Sequence, residues 1–414
     1  MHILILTTVF PPEVRSAAQI MFELAETLKQ RGHQITVITS IPSNESDRPP
    51  NFIAKFYQRD NQKGINIVRI STLPIHKSKA PAILRGIGQI LNALGYFLTG
   101  LFLKRVDVSL SYSPPLALGI TGYLLKITKN IPHVFNVQDL VPQYAIDLGI
   151  VTNKSLIRLI KMIEHFVYNN VQMITVHSKG NKDYLIGEGV TPQKINIIPN
   201  WVDTKLITPS EKQNKFRIKN NLEDKFIVLF AGVLGFAQDL DTVVESGAYL
   251  KQYKDIVLLI VGEGVEKNRL AKKTESLGLE NVIFHPFVSK EKYPEVVAAA
   301  DACLATLQKN LKCPVVPSKI LGYMSAGRPV ITSLPLEGDA PFVIQTAKCG
   351  VCVEPGDPQS LALAIIEMFD NQAKCEIWGK NGRKFILNYH ARNTCIEHYE
   401  VFFKDILDST SLPI

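Results

Sequence analysis

The chain is short of cysteine, and the little it has is poorly placed for crosslinking. Its six cysteines, Cys303, Cys313, Cys349, Cys352, Cys375 and Cys395, all fall in the C-terminal third, and the one close pair sits in the apolar run Cys349-Gly350-Val351-Cys352. A disulfide framework or a zinc site would want a second close Cys or His pair, and the histidines fall at no ligand spacing, so no metal is expected. A reducing cytoplasm is the economical inference. Low-complexity tracts are lacking too: the 25 Gly and 24 Pro are scattered, which excludes a collagen-like or linker-dominated chain. Charge is not one-sided enough to select a partner, since a net +8 suits anionic lipid, nucleotide phosphates or nucleic acid alike. With 414 residues, 46% of them hydrophobic, the chain is long enough for two or more domains with real cores.

Long hydrophobic runs are also few. The start, MHILILTTVFPP, lacks a positive n-region and a small-residue cleavage site, and Thr7 and Thr8 break its apolar run, so it reads as a buried strand and not a signal peptide. One uncharged segment, Gly86 to Leu103, is flanked by Arg85 and by Lys104-Arg105. Its length makes it a marginal spanning helix. Its periodicity points elsewhere: Ile87, Ile90, Leu91, Leu94, Leu98 and Phe102 recur at helical spacing with Gln89, Asn92 and Thr99 between them. That pattern favours a helix packed on the domain or lying in a membrane interface over a true span. Lys77-Ser78-Lys79 nearby can meet anionic lipid or simply solvent.

What the sequence does have is a repeated strand, helix, strand rhythm. Ile3–Thr7, Gln34–Thr39, Ile65–Ile70, Val106–Ser111 and His133–Val137 alternate with helical stretches; after a polar, lysine-rich stretch from Thr204 to Lys225 the rhythm restarts with Ile227–Ala231, Val257–Val261, Val282–His285, Ala302–Ala305 and Pro329–Thr332. Two doubly wound α/β halves of parallel strands follow, and ligands in such sheets bind outside the carboxyl ends of the strands.

Three turns stand at such ends. Phe10 to Ala18 runs straight into a helix, where free N–H groups behind Arg15 and Ser16 favour an anion, although an N-cap and a turn is the plainer reading. Gly262-Glu263-Gly264 follows a strand and precedes a helix, a weak G-x-G signal that allows a nucleotide to approach closely. Pro317-Ser318-Lys319 opens a third helix, where a lysine opposes the macrodipole and makes more sense beside a bound diphosphate than in plain solvent.

Taken in order, PPEVRSAAQIMFELAETLKQRGHQITVIT, SYSPPLALG, FNVQDLVPQYAIDLGI, IIPNWVD, AGVLGFAQDLDTVVESG, LLIVGEGVEKNRL and PSKILGYMSAGRPVI resemble the retaining glycosyltransferases of family 4 over nearly the whole chain. Within that family the chain is most similar to bacterial colanic-acid and fucosamine-type enzymes, which build capsule, exopolysaccharide or O-antigen units. The resemblance implies the GT-B architecture: two Rossmann-like domains facing across a cleft, residues 1–205 for the acceptor and 206–385 for the donor, with a C-terminal helix, 386–414, packing back toward the first. It implies transfer of a sugar from a nucleotide diphosphate donor, a UDP-sugar, with retention and with neither cofactor nor essential metal. It further implies a polyprenyl-diphosphate-linked saccharide as acceptor, peripheral association with the cytoplasmic membrane, and no nucleic-acid partner.

By the same resemblance Asp139 and Lys319 would be catalytic. Arg15, Ser16, Gln238, Ser318 and Lys319 would hold the diphosphate, Gly262, Glu263 and Gly264 the nucleoside, and Ser113 and Gln138 would lie on the acceptor side. Several positions depart from the family. Gly322 stands where a ribose-binding glutamate is common and Pro314 near its partner, Gln238 and Leu234 replace a basic pair, Ser16-Ala17 a glycine pair, and Gln138 the histidine before Asp139. A nucleotide-sugar epimerase on the same scaffold and a noncatalytic nucleotide-sugar-binding subunit are the rival readings.

Overall fold

The computed structural model describes residues 1–13, 15–42, 56–72, 82–311 and 313–411, so Val14 and the Lys77-Ser78-Lys79 patch lie outside the described residues. The chain divides into two compact units, Met1–Asn200 together with the segment from Asn393 onward, and Trp201–Arg392.

The first unit is built on eight strands: β1 (His2–Leu6), β2 (Gln34–Ser40), β3 (Tyr57–Gln62), β4 (Ile65–Ile70), β5 (Val108–Ser113), β6 (His133–Val137), β7 (Met173–Val176) and β8 (Ile195–Ile197). They lie in the order β3-β4-β2-β1-β5-β6-β7-β8, all parallel except the β3–β4 pair. The central strands are buried end to end, as near-continuous apolar runs in a sheet covered on both faces must be. The sequence pattern missed β3, because its residues, YQRDNQ, are polar and mostly exposed. It forms because Lys63 (φ 51°) and Gly64 (φ 79°) make a two-residue turn whose positive φ angles match the strand twist, with Asn61 accepting from the Gly64 amide at 3.1 Å.

The second unit holds β9 (Phe226–Ala231), β10 (Ile256–Val261), β11 (Val282–His285), β12 (Ala302–Thr306), β13 (Val330–Ser333) and β14 (Gly350–Val353), a fully parallel sheet in the order β11-β10-β9-β12-β13-β14. Its core joins Val228 and Phe230 of β9, Leu258 and Ile260 of β10, and Leu361 and Ile365 of the helix Pro358–Asp370. In each sheet the winding direction reverses once, between β1 and β5 and between β9 and β12. Loops diverge there and leave a crevice at the carboxyl ends.

The uncharged segment forms the helix Ala82–Leu101. It packs on the helix Ala117–Lys129, where Thr121 donates to the Ala93 carbonyl at 2.8 Å. The packed face carries Ala93, Tyr96 and Gly100, whereas the aliphatic stripe marked by the periodicity is turned outward: Ile87 is 50%, Leu98 55% and the following Phe102 85% exposed. The spanning alternative is overturned, since no helix among the described residues is long and apolar enough to cross a membrane.

Candidate active site

In the second unit, the loops after β9 and β12 are tied together: the Thr306 hydroxyl donates to the Gln238 carbonyl and the Gln308 amide to the Ala237 carbonyl at 3.0 Å. Onto this platform the helix Ser318–Ser325 delivers Lys319 from its first turn. The ammonium donates to Gln238 Oε1 at 2.7 Å and stands 3.6 Å over the centroid of the Phe230 ring. Phe230 was not foreseen, because an aromatic in an apolar strand reads as core. Gly232 makes room for the lysine: a Cβ there would lie 3.1 Å from Lys319 Nζ. No carboxylate pairs with Lys319 among the described residues, and burial pushes its pKa down to about 7. The ring face and the Gln238 oxygen partly offset that by favouring the charged form.

Beside it, the loops after β9 and β10 run backbone against backbone. Gly232 N–H donates to the Val261 carbonyl and Leu234 N–H to the Glu263 carbonyl, each at 2.9 Å. A Cβ on Gly262 (φ +154°) would lie 1.9 Å from the Gly232 oxygen, and one on Gly264 2.2 Å from the Leu234 oxygen. Both glycines are therefore already required by loop packing, whatever approaches them from solvent. The Glu263 side chain is exposed and pairs with Lys267 at 2.5 Å. Ser318 is exposed at the first helical position, and among the described residues no side chain caps that helix; the Ile320 N–H turns back to the Pro317 carbonyl at 3.0 Å, which leaves the Ser318 and Lys319 N–H groups open.

The structure also accounts for Gly322. A Cβ there would meet the Tyr293 hydroxyl at 3.2 Å and Ile207 at 3.7 Å. A glutamate has no room at this position unless Tyr293 moves.

In the first unit the acceptor-side residues cluster at the ends of β5 and β6. The Gln138 amide donates to the Ser113 carbonyl at 3.1 Å, and its side chain is fixed at both ends, Nε2 to Asn136 Oδ1 at 3.0 Å and Oε1 from Asn200 Nδ2 at 2.7 Å. Asn136 is itself held by Thr175 and by Tyr399, 263 positions away on the helix Arg392–Ser411. A link of that length has no local sequence signal. Asp139 is exposed, with no hydrogen bond or ion pair to its carboxylate among the described residues, and the protein packed around its loop raises its pKa by desolvation. Arg15 and Ser16 sit at the start of the helix Ser16–Gln30, which no side chain caps, and both are exposed. Behind them Arg69, 3% exposed, donates to the Pro11 carbonyl at 2.5 Å and props the turn. The structure thus brings Gln238, Lys319 and the glycine loops together in one unit and Ser113, Gln138 and Asp139 in the other, while Arg15 and Ser16 make no bond to the latter group.

Two family models match: residues 17–206 fit the model described as Glycosyltransferase Family 4, and residues 211–385 the model described as Glycosyl transferases group 1. The chain belongs to the family 4 glycosyltransferases. Among curated proteins, this glycosyltransferase is 24% identical over 380 residues to the colanic acid biosynthesis glycosyl transferase WcaI of Escherichia coli, covering 88% of this chain and 91% of that one. Among solved structures it matches sucrose-phosphate synthase of Thermosynechococcus elongatus (TM-score 0.79, 18% identity, 99% and 100% of the two chains). It also matches the Anabaena protein HepE solved in complex with UDP (TM-score 0.74, 17% identity, 98% and 100%). At these identities the structural likeness establishes the fold, two α/β units of GT-B type.

Proposed function

We propose that this glycosyltransferase moves a sugar from a UDP-sugar, with retention, to a lipid-linked saccharide during assembly of a capsule, exopolysaccharide or O-antigen. The observation that carries the reading is Lys319, a cation without a carboxylate partner among the described residues, set in the first turn of a helix that no described side chain caps, beside two glycine loops at the reversal point of its sheet. Negative charge grows on the diphosphate as the glycosidic bond breaks, and preorganised donors at that place lower the barrier. UDP is favoured because the neighbour HepE is solved with it and polysaccharide assembly because of the likeness to WcaI. In front-face transfer the departing phosphate takes the acceptor proton, so no protein base is required and Asp139 is left to orient the acceptor hydroxyl.

The test is turnover of UDP-sugars with and without lipid-linked acceptor, after a thermal-shift screen of UDP, GDP, dTDP and ADP. A ligand that binds only the native state at 100 times its Kd stabilises it by about 2.7 kcal/mol. UDP alone is expected to shift the transition, and UDP to be released only with acceptor present. Conversion of the donor sugar without acceptor would make the protein an epimerase, and nucleotide binding with no turnover a noncatalytic subunit.

Membrane association belongs to the same proposal. The outward stripe of Ile87, Leu91, Leu94 and Leu98 is exposed, with Ile127 on the neighbouring helix and Lys104 and Arg105 at its end, the composition of a surface for an anionic bilayer. Replacing Leu91, Leu94 and Leu98 with Gln is expected to release the protein from phosphatidylglycerol vesicles in a sedimentation assay while leaving its Tm unchanged within a few degrees. Native protein that stays in the supernatant would end this part of the proposal.

A further inference from the structure

A second cavity in the Trp201–Arg392 unit, about 720 Å³, lies at the other end of its sheet. Its walls include Phe226, which opens β9, Asp301, which precedes β12, and Pro329, which precedes β13. The cavity is thus under the amino ends of the strands, whereas Lys319, Gln238 and the glycine loops follow the carboxyl ends. Its size is in the range of small-molecule sites, about 300–1,000 Å³.

The charges on its wall are unbalanced. Lys212, Arg328, Lys380, Arg383 and Lys384 face Glu211, Asp301 and Glu376. Asp301 is already taken by Lys212 at 2.9 Å and Arg217 at 2.5 Å, and Arg383 spends its guanidinium on the carbonyls of Ile207, Ser325 and Thr204. Three cations remain against two carboxylates, Glu211 and Glu376, the latter one turn before Lys380 on the same helix. Lys380 and Lys384 are one turn apart on the helix Gln372–Tyr389, and neither has a hydrogen bond or ion pair among the described residues. Like charges at that spacing repel each other. Arg328 gives Nη2 to the carbonyls of Ser210 and Ala298, yet its buried Nε has no partner. A buried donor left unpaired is costly, and such exceptions call for a ligand or water. Phe226, Cys375 and Leu387 give the wall an apolar part, beside the polar Ser210, Gln372 and Asn388.

We propose that this cavity binds a phosphate-bearing small molecule with a flat apolar body, its phosphate among Arg328, Lys380 and Lys384 and its body against Phe226, Cys375 and Leu387. The cations, in excess over Glu211 and Glu376, recognise the phosphate, and Phe226, Cys375 and Leu387 favour a ligand with an apolar body over an inorganic ion.

Pyridoxal 5′-phosphate is the probe, because it has that chemistry and its aldehyde reports which lysine lies beside the bound phosphate. The aldehyde condenses with a neutral amine, losing water, and hydride from borohydride turns the imine into a stable secondary amine. The full chain is treated at low micromolar probe, reduced, and mapped by peptide mass spectrometry, which reads Lys380 and Lys384 separately from Lys319. Lys380 or Lys384 is expected to be modified at least tenfold faster than Lys179 and Lys272, which are exposed and without partners among the described residues. Added pyrophosphate should slow that reaction, pyridoxal without its phosphate should show no preference, and Lys384→Glu should abolish the preference for Lys380. Equal rates at all four lysines, or equal preference with pyridoxal, would overturn the proposal. The readout does not depend on UDP binding, so a failure of the donor assignment leaves it intact.

Discussion

Lys319→Ala is expected to weaken UDP binding by about 10- to 150-fold. Hydrogen bonds to charged groups are worth ~1.5–3 kcal/mol, and the alanine removes the ammonium that stands beside Gln238 and over Phe230. Gln238 is already an acceptor for the lysine and would turn its amide toward a diphosphate only as a neutral donor. Isothermal titration of UDP into wild type and variant decides the matter, and an unchanged Kd would remove Lys319 from the donor site.

The same lysine gives the binding a pH dependence whose sign can be worked out. Burial holds the free protein's ammonium near a pKa of about 7, below the usual lysine range, and a bound diphosphate favours the charged form and raises it again. Binding therefore takes up a proton above pH 7. Affinity should be flat through the slightly acidic range and fall by up to tenfold per unit above pH 7, until the pKa of the complex is reached. Titrations in two buffers of different ionisation enthalpy measure the proton directly, and Lys319→Ala should abolish the uptake. For stability the sign is opposite. The unfolded chain holds this proton up to the ordinary lysine pKa, so folding stability gains from this group as pH rises from about 7 toward 10.5, and the gain vanishes in the alanine variant.

Much of the fold is legible because its strands are apolar runs cut short by turn residues. FIVLFA ends at Gly232 and IVLLIV at Gly262, and both become buried parallel strands. The polar strand β3 was not legible, since a turn and not a hydrophobic pattern makes it. The stripe on the helix Ala82–Leu101 was legible as a stripe but not in direction, because periodicity says that one face is apolar and not what covers it. The place of Lys319 at a helix start was legible, and a lysine there is unfavourable without a ligand. Phe230 beneath it, and the path from Tyr399 through Asn136 to Gln138, were not, because those contacts exist only once distant segments meet.

Gly262 marks where sequence and structure give the same residue different reasons, and the difference is measurable. Read as a nucleotide contact, its replacement by alanine should cost affinity and little stability. The structure adds a packing requirement: φ at +154° is one that L side chains rarely adopt, and the added Cβ would lie 1.9 Å from the Gly232 oxygen. The two loops cannot draw apart, because the bonds from Gly232 to Val261 and from Leu234 to Glu263 would break. Backbone strain of ~1–3 kcal/mol together with overpacking of ~1–3 kcal/mol predicts a loss of about 2–6 kcal/mol, a large share of a domain's stability. In a domain of this size that lowers Tm by roughly 5–20 °C. Gly235→Ala is the control, since its nearest neighbour to an added Cβ is 3.8 Å away and its φ of −120° suits any residue. Gly262→Ala with the Tm of Gly235→Ala and a weakened UDP Kd would support nucleotide contact alone as the reason for the glycine; a Tm lowered by this amount makes it a packing device on which the shape of the loop after β10 depends.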